Sequence, residues 1–171
     1  ISIAHPRFRE QLLKEAIEAK FLSAEFADVD HGFILGSKDY CSAHPLDDGT
    51  LLMFRSMHPT DEPALKDLFY DLSQQTIYYR FMSQMKALPR KQIKDLVYIN
   101  HRTDVALVAT IPEAHGDEIV GVGRYYLDER SNLAEVAFIV RDKWQNRGIG
   151  TLLLRRLNTI ARRNGISGFT A

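Results

Sequence analysis

The chain has 171 residues, 45% hydrophobic and 26% charged, with 22 basic side chains against 22 acidic ones. That length allows one full domain with a core plus a small appendage, and the zero net charge gives no global field for nucleic acid or an anionic membrane. No segment reads as a transmembrane span or a signal peptide, and the single Cys41 cannot form an internal disulfide, which together predict a cytoplasmic protein.

Residues 7–21 read as an amphipathic helix, because Phe8, Leu12, Ala16, Ile17 and Phe21 recur at helical spacing behind Pro6. From 23 to 49 the pattern dissolves into Gly, Asp, Ser, His and Pro around the apolar island Phe33-Ile34-Leu35. This stretch reads as a linker or irregular wrap, with the globular domain expected from 50 to 171. LLMFRSM (51–57) reads as a strand. Thr60-Asp61 is placed to cap a helix with Leu65, Leu68, Phe69 and Leu72 on one face. A second helix is expected from Pro89, with Ile93, Leu96 and Val97 on its apolar side. VALVATI (105–111) is a strand expected to stop before Pro112. EIVGVGRYYL (118–127) and LAEVAFIV (133–140) follow as two more, joined by a short turn. Gly121 and Gly123 point to a bulge or a close backbone approach. The clearest helix spans 148–164, with Ile149, Leu153, Leu157, Ile160 and Ala161 as its stripe and Gly165 as its stop; residues 166–171 begin another strand. The order predicts a mixed α/β domain whose sheet includes antiparallel pairs.

QNRGIGTLLLRR (145–156) places Gly148 and Gly150 where that last helix must begin, although glycine is about 1 kcal/mol worse than alanine inside a helix. A strand, a short connection, two glycines and a helix N-terminus describe an anion site: the first N–H groups lack internal acceptors, and missing side chains let a phosphate reach them. The spacing is neither the P-loop nor the dinucleotide pattern. The competing explanation is tight helix–sheet packing, with the Arg155/Arg156 and Arg162/Arg163 pairs as a solvated face.

Gln145-Asn146-Arg147-Gly148-Ile149-Gly150 resembles the Q/R-x-x-G-x-G/A motif of the GCN5-related N-acetyltransferases, and it follows a strand and opens a helix as it does in that superfamily. The resemblance covers roughly residues 51–171 and implies a largely antiparallel sheet flanked by helices, with acetyl-CoA as cosubstrate. It implies that Gln145 to Gly150 plus Thr151 hold the pyrophosphate by backbone N–H groups, and that Phe138, Ile139 and Val140 pair with the amides of the pantetheine arm. DLSQQTIYYRFMSQMKALPRKQIKDLVYIN followed by DVALVAT is similar to bacterial protein lysine acetyltransferases that modify acyl-CoA synthetases, through residues such as Ser73, Tyr79-Arg80-Phe81 and 106–109. Residues 1–16 resemble the C-terminal end of acetyl-CoA hydrolase/transferase proteins, so 1–22 is expected to be the helical tail of an upstream acyl-CoA domain. The family fold continues past 171, so the sheet is expected to be completed by further chain or by another copy, and the family's tyrosine acid to lie beyond the last residue.

Direct transfer to an amine needs a base, since free lysine titrates near ~10.4. Glu135 is the lone charge in LAEVAFIV, and partial burial is expected to raise its pKa; the similar lysine acetyltransferases use a glutamate from the corresponding strand. The alternative is a structural glutamate paired with Arg124. The six histidines have no metal-ligand spacing, so no metal is expected. Tyr125 and Tyr126 read as packing or groove residues, and Cys41 as a bystander. Three functions remain open: acetylation of a protein lysine, of which an acyl-CoA synthetase is one candidate; acetylation of a small amine; and acyl-CoA sensing without turnover.

Overall fold

The computed structural model describes residues 6–21, 40–81, 93, 96–99, 103–113 and 116–170. Helix α1 (Pro6–Glu18) comes first. Strands β1 (Ser42–Pro45) and β2 (Leu51–Ser56), helices α2 (Glu62–Tyr70) and α3 (Gln74–Phe81), and strands β3 (Asp104–Glu113), β4 (Gly116–Asp128) and β5 (Leu133–Val140) follow. Helix α4 (Ile149–Arg163) and strand β6 (Gly168–Thr170) close the described chain. The six strands lie in sequence order in one sheet. All neighbours are antiparallel except β5 and β6, which run parallel from Leu133↔Gly168 to Glu135↔Thr170.

Both faces of the sheet are covered, which is why its central strands are mostly apolar, with Thr110 and Arg124 as buried exceptions. On one face Leu65, Leu68 and Phe69 of α2, Ile77 of α3, and Ile93, Val97 and Ile99 pack against Ala106, Val108, Ile119 and Val122. On the other, Ile149, Leu153, Leu157 and Ile160 of α4 pack against Leu52, Phe54, Leu107, Ala109 and Val120. Leu153 and Leu157 are fully buried, each stabilising the fold by about 1.5–3 kcal/mol.

Gly121 and Gly123 serve both purposes foreseen for them. The β3–β4 register jumps from Ala109↔Gly121 to Thr110↔Ile119, leaving Val120 as the extra residue of a bulge. A Cβ on Gly123 would stand 3.1 Å from Leu153 Cβ and from the Phe138 ring, so α4 reaches its depth only over glycine.

Several boundaries differ from the sequence reading. Strand β1 lies inside the stretch read as linker, and the sheet starts at Ser42 rather than near Thr50. SAHP carries no apolar alternation; what makes it a strand is the turn behind it, where Gly49 has φ +84° and Thr50 N–H donates to Asp48 Oδ1 at 2.9 Å. Helix α3 was not foreseen, since QQTIYYRF lacks a repeating apolar face. The helix expected from Pro89 falls mostly outside the described residues, although Ile93 and Val97 are buried helical positions. Strand β3 runs through Pro112, which pairs with Asp117 beyond the last β2 partner, Thr110, where a missing N–H breaks no ladder to β2. The cap before α2 comes from His58, whose ring accepts from Thr60 N–H. Asp61 returns a bond to His58 N–H and grips Arg55 through both oxygens, at 2.7 and 2.8 Å.

Candidate active site

Strand β5 ends at Val140, a 3-10 turn spans Asp142–Trp144, and Gly148 is the N-cap of α4. Gly148 has φ +78°, a left-handed conformation that L side chains rarely adopt. Gly150 has no such constraint. Nothing lies within 4 Å of a Cβ built on either residue, so packing explains neither. Beside the exposed backbone of Asn146, Arg147 and Gly148, open hollows of about 590 and 250 Å³ separate the loop from the β1–β2 turn. Unbonded N–H groups at a helix start, in open space, with no side chain over them, are what an anionic group needs.

The loop's other residues divide by direction. Ile149 is 1% exposed in the α4 core, so it can offer a ligand only its backbone. Thr151 is exposed on the first turn of the helix. Arg147 lies over the Trp144 ring at 4.5 Å and pairs with Asp48 at 2.7 Å. Asp48, in the stretch read as linker, therefore forms one wall of the site. Its carboxyl is held below the usual range by the Thr50 backbone N–H first, with Arg147 assisting. Gln145 is exposed, and its Nε2 lies within hydrogen-bond distance of Val140 O (3.0 Å), Asp142 Oδ1 (3.0 Å) and Thr76 Oγ1 (3.2 Å), acceptors that share its two N–H groups.

Along β5, Phe138, Ile139 and Val140 pair with Gly123, Val122 and Gly121 of β4. On the other edge β5 pairs with β6 only through Glu135, so among the described residues the edge of 136–140 is unpaired. Val136, Phe138 and Val140 face the α4 core and Ile139 faces the α2 core. By alternation Glu135 shares the α2 side. It is exposed, which corrects the partial burial expected of it: it is the third residue of an eight-residue strand, near the rim of the sheet rather than under a helix. No ion pair joins it to Arg124 among the described residues. Arg124, 2% exposed, lies over the Tyr126 ring at 4.3 Å and donates to Leu96 O at 3.3 Å. Tyr125 is core, its hydroxyl accepting from Asn164 at 2.9 Å, and burial pushes its pKa up.

The α4 arginines are not one solvated face. Arg155, Arg162 and Arg163 are exposed, but Arg156 lies 3.7 Å over Phe54 and donates to Ser42 Oγ and Leu152 O, so burial lowers its pKa.

The profile of the Acetyltransferase (GNAT) family matches residues 66–171. The chain belongs to that family. It is 29% identical over 120 residues to Acetyltransferase PA5475 of Pseudomonas aeruginosa, an alignment covering 70% of this chain, and spans 64% of that relative's length. The GNAT domain of S. lividans PAT superposes with a TM-score of 0.70 at 28% identity, covering 76% of each chain. A cAMP-binding acyltransferase from Mycobacterium smegmatis superposes at 0.50 with 25% identity, over 77% of this chain and 39% of that one. Acetyl-CoA is the cosubstrate expected of the family, and the open cradle at Gly148 and Gly150 fits its pyrophosphate. No described helix is long and apolar enough to cross a membrane.

Proposed function

We propose that this protein is an acetyl-CoA-dependent N-acetyltransferase whose acceptor is a protein lysine. The observation that carries the reading is the loop at the start of α4, where two glycines leave N–H groups open and neither is required by packing. The lysine is supported by the resemblance of 71–100 and 104–110 to protein lysine acetyltransferases, and the transferase fold by the likeness to the GNAT domain of S. lividans PAT.

In this reading the N–H groups from Arg147 to Thr151 hold the pyrophosphate, and the backbone of Phe138, Ile139 and Val140 bonds to the pantetheine amides. The amine nitrogen attacks the thioester carbonyl carbon; a C–N bond forms, the C–S bond breaks, CoA leaves as thiolate, and the amine proton passes to a base. Glu135 is our candidate for that base. What supports it is that it is a carboxylate open to solvent on β5, the strand that carries Phe138, Ile139 and Val140. Glu135→Gln keeps shape and removes the proton acceptor. Turnover at neutral pH should fall by ~10²–10⁴ while acetyl-CoA affinity persists. Steady-state assays on lysine-containing protein, with acetyl-lysine mapped by mass spectrometry, check both parts. A variant with near-normal kcat removes Glu135 from the mechanism, and transfer to free small amines but to no protein replaces the acceptor.

A further inference from the structure

Two segments far apart in sequence meet behind the glycine loop. One is the α2–α3 junction, residues 71–76; the other is the connection from β5 to α4, residues 141–145. Their meeting point is the Asp142 carboxylate. Oδ2 accepts the Ser73 backbone N–H at 2.5 Å, and Oδ1 accepts the Thr76 hydroxyl at 2.5 Å and the Ser73 hydroxyl at 3.3 Å. Oδ1 also takes the Gln145 amide, which reaches Thr76 Oγ1 and Val140 O as well.

The chemistry of this cluster is one-sided. Every group around the carboxylate donates, and three of the donors come from the start of α3. Ser73 also caps α3 by accepting the Thr76 N–H at 3.2 Å, so helix start and carboxylate are held in one network. Burial raises the Asp142 pKa, but the Thr76, Ser73 and Gln145 hydrogen bonds outweigh it and hold the carboxyl below its usual range. It stays charged at neutral pH, and bonds to a charged acceptor are about twice as strong as neutral ones.

Gln145, the first residue of the glycine motif, therefore uses its side chain as a bolt between the end of β5 and α3. In the loop that follows it, Asn146 to Gly150, Ile149 is buried in the α4 core, Arg147 reaches Asp48 and Trp144, and nothing lies within 4 Å of a Cβ built on either glycine. Ile149 fixes the far end of the loop in the core, and the bonded Gln145 fixes its start. The same two segments are joined a second time by Arg141, 6% exposed, which pairs with Asp71 and with Glu118 and donates to Ile119 O.

We propose that Asp142 is a positioning residue that locks the acetyl-CoA loop to helix α3, so that cosubstrate affinity depends on Thr76 and Ser73, which stand outside the glycine motif. The proposal rests on the loop being the acetyl-CoA site, and the experiment separates the two claims. Trp144, the one tryptophan of the chain, sits between Asp142 and Gln145, and its emission follows an acetyl-CoA titration of the whole protein. Calorimetry gives the same Kd without a fluorophore.

Thr76→Val keeps the shape and deletes the hydroxyl, and Asp142→Ala deletes the acceptor. Each should raise the Kd for acetyl-CoA by about 5- to 20-fold. Thr76→Ser should restore it to within about twofold, and the double variant should be no more than about twofold worse than the weaker single one, because both break one network. In the transferase assay Thr76→Val should raise KM for acetyl-CoA more than it lowers kcat. A merely structural role predicts the reverse: a lower melting temperature with an unchanged Kd, and effects that multiply in the double variant. Either result overturns the proposal. Should Asp142→Ala not fold, Thr76→Val against Thr76→Ser decides alone. A wild-type protein that does not bind acetyl-CoA removes the site reading and the coupling with it; binding by wild type and by Thr76→Val with equal Kd removes the coupling only.

Discussion

Gly121/Gly123 and Gly148/Gly150 are two pairs with the same spacing on elements that touch, and they are glycine for opposite reasons. Beneath α4, side chains at 121 and 123 would collide: a Cβ at 121 meets Ile149 Cγ2 at 3.2 Å, and one at 123 meets Leu153 Cβ at 3.1 Å. At the start of the same helix, side chains at 148 and 150 would meet nothing within 4 Å. The first pair lets a helix sit close to a sheet. The second keeps a surface of backbone N–H groups clear. A glycine pair in a sequence is the same symbol in both cases; only the space above it distinguishes packing from access.

The comparison breaks most visibly at the loop. A glutamate at 148 or 150 would set a carboxylate against the pyrophosphate, worth about 4 kcal/mol at 4 Å in a surface environment, or roughly a thousandfold in Kd. The two variants should differ in stability. Gly148→Glu must carry the φ of +78° and should lose about 1–2 kcal/mol. Gly150→Glu gains helix propensity and a favourable charge at a helix start, and should gain about 0.5–1 kcal/mol. Calorimetric titration and thermal unfolding measure the two quantities; a Gly150→Glu protein that binds acetyl-CoA like wild type would break the access reading.

Gly123→Ala should show the opposite pattern, losing about 1–3 kcal/mol of stability because Leu153 and Phe138 must shift, with acetyl-CoA affinity of the folded protein unchanged. Denaturant unfolding beside the same titration checks it, and an alanine that stabilises would show that α4 has slack over the sheet. The smallest effect concerns Arg147. Asp48→Asn releases it from an exposed ion pair and removes a negative charge facing the phosphate site, and should tighten acetyl-CoA binding by up to about fivefold at low salt. Weaker binding would mean instead that Asp48 holds Arg147 in its productive place.

What could be read from the residues followed from periodicity and from backbone chemistry. The stripe of α4, the runs of β3 to β5 and the glycine loop are written in spacing, and the structure has them within a few residues. Strand β1 is not written in SAHP, because an edge strand is made by its partner and its turn. Helix α3 has a mixed face, and among its described side chains Ile77 is the one in the core. Glu135 drew attention as a lone charge in an apolar strand, yet position near the end of that strand leaves it exposed; alternation tells which face a residue is on, not how far the covering helices extend. Asp48 and Asp142 carried no local signal at all. Their roles come from contacts across 99 and 66–69 residues of chain. The signal available for Asp142 was Ser73 with Thr76 three residues on, a cap pattern that marks a helix start but names no distant partner.

The central claim is that acetyl-CoA is held by the N–H groups at the start of α4. Labelling the protein with ¹⁵N-glycine gives a spectrum of at most ten backbone signals, one for each glycine in the sequence. On titration with acetyl-CoA, the amides of Gly148 and Gly150 should move first and farthest, as N–H groups that gain a phosphate acceptor, while Gly165 and Gly49 stay in place. Saturable binding that leaves Gly148 and Gly150 unmoved would contradict the account.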